Sequence, residues 1–93
     1  MNAKKDDNLN DYKQKKINPN LIKGFRNHLG FTQAELAKVL GISVVAYRNK
    51  ENGITEFSDS EKRVFTGLVR QLFPEESIES IFFSNRYEYE EGW

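Results

Sequence analysis

The sequence predicts an all-α fold, and three observations carry that prediction. Apolar residues recur at helical spacing in five successive segments between Leu21 and Phe83. Each segment opens on a residue that suits a helix start, Asn18, Thr32, Ser43, Ser58 or Pro74. No stretch alternates apolar and polar residues for long enough to make a strand, and there is neither an internal repeat nor a low-complexity tract.

Taken in order, residues 1–16 are rich in Lys, Asp and Asn and lack apolar periodicity, so they read as a flexible arm. Asn18-Pro19 then forms an N-cap followed by proline at the first helical position, and Leu21, Ile22, Phe25 and Leu29 mark a helix that Gly30 closes. Thr32, with Glu35 three residues on, is a capping box for a second helix of Leu36, Ala37 and Leu40 that ends at Gly41. Ser43 caps a third helix running to Asn52, with Gly53 as the residue that stops it. Beyond Phe57, Ser58 opens a fourth helix with Val64, Phe65, Leu68, Val69 and Leu72 on one stripe, although Gly67 inside it costs about 1 kcal/mol relative to alanine. Pro74 is expected to end that helix and start a fifth, with Glu75 and Glu76 at its positive end and Ile78, Ile81, Phe82 and Phe83 along it. The expected division is an arm over 1–16, one domain over 17–83 and an acidic, aromatic tail over 84–93.

A chain of 93 residues supports one small core, and a large enclosed active site is not expected. It has no cysteine, and His28 is its one histidine, so neither thiolate chemistry nor a transition-metal site is expected. There is no glycine-rich phosphate loop, nucleophile elbow or paired-carboxylate motif, and no enzyme and no cofactor is expected. Nothing resembles a signal peptide or a membrane span, so a cytoplasmic protein is expected. The formal net charge is zero, but it is unevenly spread. Residues 17–73 hold eight Lys or Arg against five Asp or Glu, whereas residues 74–93 hold Arg86 against six glutamates. A basic body with an acidic end suggests different partners for the two ends.

Leu36, Ala37, Leu40, Ile42 and Tyr47 have the spacing of two helices packed about a turn at Gly41, with Ala37 small enough for close approach. In a helix-turn-helix the second helix of the pair lies in the DNA major groove and meets base edges with its N-terminal residues. That placement explains why the third helix opens on Val44 and Val45 instead of charged residues, because apolar side chains can read thymine methyl groups. Packing in a core or an interface is the alternative for these valines.

The stretch "FRNHLGFTQAELAKVLGISVVAYRNKENG" resembles the helix-turn-helix of phage repressor, Cro and XRE-type regulators, with Leu29-Gly30, Thr32-Gln33, Ala37, Gly41 and Glu51-Asn52-Gly53 at the matching positions. The resemblance covers residues 18–73 and implies a compact five-helix repressor-like domain that binds double-stranded DNA as a homodimer. It implies that Gln33 contacts a phosphate and that Ser43, Val44, Val45, Arg48 and Asn49 form the reading face, with Asn49 suited to adenine and Arg48 to guanine or phosphate. It also implies a structural ion pair between Arg26 and Glu51. Two positions depart from the family pattern, Tyr47 where Val or Ile is usual and Lys50 where a large apolar residue is usual. Lys50 is expected to lay its stem on the core and send its ammonium to a phosphate, and Lys13, Lys15 and Lys16 of the arm to follow the DNA backbone or remain solvated.

Ile78, Ile81, Phe82 and Phe83 exceed what a short last helix needs, and Tyr87, Tyr89 and Trp93 follow in the acidic tail. They are expected to form an interface, either between two copies of the chain or with a protein partner of an antitoxin-like or inhibitor protein. Completion of the monomer core is the third option.

Overall fold

A computed structural model describes residues 17–83, so the arm and tail expected at the two ends, with Lys13, Lys15, Lys16, Tyr87, Tyr89 and Trp93, lie outside the described residues. Among the described residues all regular structure is helical: α1 (Pro19–Leu29), α2 (Gln33–Leu40), α3 (Val44–Glu51), α4 (Asp59–Leu72) and α5 (Ile78–Phe82).

The helix starts follow from local chemistry. The Asn18 side chain accepts from the backbone N–H groups of Asn20 and Leu21 above Pro19, and Thr32 and Ser58 form reciprocal capping boxes with Glu35 and Glu61. Between α2 and α3 the chain turns at Gly41, whose φ of 77° lies in the left-handed region that a side chain disfavours. Its N–H and that of Ile42 bond back to the carbonyls of Lys38 and Ala37, the pairing that closes a helix and redirects the chain within one residue. Ser43 then caps α3 by accepting from the N–H of Ala46.

The start of the last helix differs from expectation. Pro74, Glu75 and Glu76 form a turn, and α5 begins at Ile78 with Ser77 as its cap. The turn is held because Arg70 donates to the Glu76 carbonyl at 2.6 Å while the Glu76 carboxylate accepts from the Ser80 hydroxyl at 2.7 Å. Ser77 and Ser80 then cap each other reciprocally, satisfying backbone N–H groups that a proline, with no side-chain acceptor, could not cap.

The helices α2 and α3 pack chiefly on each other, and α4 lies against α1, α2 and α5. Ile22 and Phe25 of α1, Leu36 and Ala37 of α2, and Tyr47 of α3 enter one core with Phe65 and Val69 of α4. Phe57, in the loop before α4, is buried beneath an aromatic cluster formed by Tyr47, Phe65 and Phe82 at centroid distances of 6.0, 6.4 and 5.5 Å. Ile81 and Phe82 are 1 % and 3 % exposed. This corrects the expectation that they face a partner: α5 folds back so that both complete the core, with Ile78 half-buried beside them and Phe83 exposed.

Candidate nucleic-acid interface

The short helix α3 has two unlike faces. Tyr47 and Glu51, one turn apart, are buried, while Val45 and Arg48 are exposed and Asn49 is partly so. Val45 is 59 % exposed, although a valine gains nothing from water. Val44, by contrast, is half-buried and packs against the core, and the exposed Ser43 uses its hydroxyl oxygen as the helix cap. The outward stripe is therefore Val45, Arg48 and Asn49, at i, i+3 and i+4, with Ser43 beside it.

Beneath this stripe lies a buried polar hub centred on Glu51. Its Oε2 accepts from Arg26 Nε at 2.7 Å and from the Tyr47 hydroxyl at 2.7 Å. Its Oε1 accepts from Gln33 Nε2 at 2.8 Å and from a second Arg26 nitrogen at 3.4 Å. Four donations fill the acceptor sites of one carboxylate, so burial at 2 % exposure leaves no lone pair wanting a partner. Arg26 also donates to the Phe31 carbonyl at 2.9 Å, which leaves its charge matched and most of its protons bound. The donors come from α1, α2 and α3, so a single carboxylate ties the three helices together.

The titration of the hub follows from the same contacts. Burial pushes the Glu51 carboxyl up, but the hydrogen bonds from Arg26, Tyr47 and Gln33 outweigh it and hold the group below the usual carboxylate value. Burial and the neighbouring Glu51 charge raise the Tyr47 phenol well above its ordinary value, so it stays a proton donor at every physiological pH. The hydrogen bond to Glu51 raises Arg26 against the opposing effect of burial.

The remaining expected residues separate by role. The ammonium of Lys50, expected on a phosphate, instead donates to Glu61 at 2.7 Å. Glu61 is also the capping-box residue of α4, so Lys50 fastens the end of α3 to the start of α4. Arg48 donates through Nε to Gln33 Oε1 at 3.2 Å, across the gap between α3 and α2. His28 sits with its ring edge-on to Phe73, 5.4 Å between centroids. The role of the Tyr47 hydroxyl goes beyond the expectations from sequence, although a tyrosine and a glutamate spaced i, i+4 on the inner face of a short helix carry its signal.

Among the described residues no group of three or more His, Cys, Asp or Glu could hold a metal ion, and no helix is long and apolar enough to cross a membrane. In comparison with known proteins, residues 22–61 match a family model described as helix-turn-helix. No curated protein and no solved structure matches the chain. The matched segment runs from α1 through α2 and α3 into the start of α4. Over that segment the chain is similar to the helix-turn-helix family, and the match takes in the α2–turn–α3 unit described above.

Proposed function

We propose that the protein is a sequence-specific regulator of transcription that binds double-stranded DNA, reads the major groove with α3 and represses by occluding a promoter. The observation that carries this reading is the exposed Val45 beside Arg48 and Asn49, on a helix whose opposite face is fixed by the Glu51 hub. In the groove Val45 would meet a thymine methyl, Asn49 would pair with an adenine edge, and Ser43 and Val44 would border the contact. Lys50 drops out of the reading surface because its ammonium is held by Glu61. A homodimer would place two such helices about 34 Å apart, one turn of DNA.

Selection from a random duplex pool at about 150 mM salt, where weak phosphate attraction is screened, tests the proposal. A palindromic motif should be enriched. Val45→Asp should abolish enrichment while the helical circular dichroism stays unchanged, because the site is exposed. A folded wild-type chain that enriches nothing would contradict the proposal.

A second reading, an antitoxin-like protein or inhibitor that acts through its C-terminal end, is favoured by the exposure of Leu72 and Phe83. Deleting residues 86–93 separates the two. Repression survives the deletion under the first reading, and neutralisation of a protein partner is lost under the second.

A further inference from the structure

The side-chain amide of Gln33 has one orientation that its neighbours permit. A carboxylate only accepts and a guanidinium only donates, so the NH2 group must face Glu51 Oε1 at 2.8 Å and the carbonyl must face Arg48 Nε at 3.2 Å. Toward Arg48 the Gln33 side chain therefore presents an acceptor. Phosphate oxygens are acceptors too, and a carbonyl cannot bind them. A flip of the amide would set its carbonyl against the buried Glu51 carboxylate and lose both hydrogen bonds, so the side chain has only the second, uncharged proton of its NH2 group left to offer a phosphate. The Arg48 guanidinium, on the other hand, uses only Nε for Gln33, and its Nη1 and Nη2 make no hydrogen bond among the described residues. Those two NH2 groups form a planar fork suited to a phosphate.

We infer that Arg48 is the side chain that binds a DNA backbone phosphate at the α2–α3 cleft, and that Gln33 is a positioning residue whose inward-held amide aims it. This rests on the DNA-binding reading above and refines it. The chain of contacts runs from Arg26 and Tyr47 to Glu51, from Glu51 to Gln33, and from Gln33 to Arg48. The fixed interior of the domain thereby sets the direction of a surface arginine, which lowers the entropy that arginine must lose on binding.

The test is a binding cycle of the full chain with a duplex, comparing wild type, Gln33→Met, Arg48→Met and the double variant across salt concentrations. Arg48→Met should weaken binding about tenfold, the loss expected for one charged hydrogen-bonding group, and lower the slope of log affinity against log salt by about 0.9 per protomer. Gln33→Met should weaken binding severalfold alone but add nothing in the Arg48→Met background. In wild type, the NMR signals of the Gln33 side-chain NH2 should hold their position when the duplex is added. That readout covers the case in which Gln33→Met fails to fold. Binding losses that add, with an unchanged slope in Arg48→Met or shifted Gln33 NH2 signals, would overturn the assignment while leaving DNA binding intact. A wild-type chain that binds no duplex would instead remove the DNA-binding reading and the assignment with it.

Discussion

The two ends of this domain are held together by different chemistry. Where α1, α2 and α3 meet, the centre is an ionised carboxylate with four directed hydrogen bonds. Where α4 and α5 meet, the centre is a cluster of the rings of Phe57, Phe65 and Phe82 with no hydrogen bond in it. Ring packing tolerates small shifts, since burial of apolar area is not directional. A carboxylate fixed by three side chains does not tolerate them, because each bond weakens steeply with angle. The directional chemistry lies under the helix proposed to read DNA, where a tilt of a few degrees would misplace Val45 and Arg48. The non-directional chemistry lies where bulk stability is needed.

Substitutions at the two centres should therefore fail in different ways. The largest losses are expected from Phe65→Ala and Glu51→Ala. Phe65→Ala should cost about 3–5 kcal/mol through the cavity it leaves, and Glu51→Ala a similar amount through the unpaired charge left on Arg26. Urea unfolding distinguishes them through a rescue: Arg26→Met should recover much of the stability lost in Glu51→Ala, and none of that lost in Phe65→Ala.

A smaller effect is expected from acid. Glu51 and Glu61 both lie below the ordinary carboxylate value of 4.5 in the folded protein. At Glu61 burial acts upward but is outweighed by the hydrogen bonds from Lys50 and Ser58. A depressed folded value means that the unfolded chain binds the proton more tightly, so stability from these groups is complete above the ordinary value and is lost as pH falls through the folded value. Unfolding midpoints between about pH 7 and about pH 3 should show this decline. Glu51→Gln should be less stable at neutral pH and should fall less steeply in acid.

Smaller again is Tyr47→Phe, which removes one donor to a charged acceptor and should cost about 1.5–3 kcal/mol. The core shape is kept, so the helical content should not change. If the loss were confined to the aromatic end, seen as an unaltered Glu51 titration, the hub would not depend on the phenol. The least costly change is Thr32→Ala, at about 1 kcal/mol for a lost cap, read as a lowered melting temperature.

The contrast between the ends also explains what the sequence made legible. Helix starts at Asn18, Thr32, Ser43 and Ser58 were readable because a cap is a local device, complete within four residues. The start of α5 was misplaced because Pro74, Glu75 and Glu76 satisfy the general preferences of a helix N-terminus, while the bonds that hold them in a turn come from Arg70 and Ser80. The inward place of Ile81 and Phe82 was not readable, since apolar side chains complete a core or an interface equally well, and only the need to cover Phe57 decides between them. In the hub, the Arg26–Glu51 contact was expected from family resemblance. The inward turn of Gln33 was not, because it depends on a filled carboxylate that no single segment encodes. Lys50 escaped for a like reason: its partner is eleven residues away on the next helix.

The proposed function requires that the α2–α3 surface, and not the α4–α5 end, meets DNA. It is tested most directly by following the backbone amide NMR signals of the full chain as a duplex carrying its selected motif is added. Shifts should be concentrated at Thr32 and Gln33 and from Ser43 to Asn49, with Val64, Leu72 and Phe83 unmoved. Shifts confined to Val64, Leu72 and Phe83, with α3 silent, would contradict it.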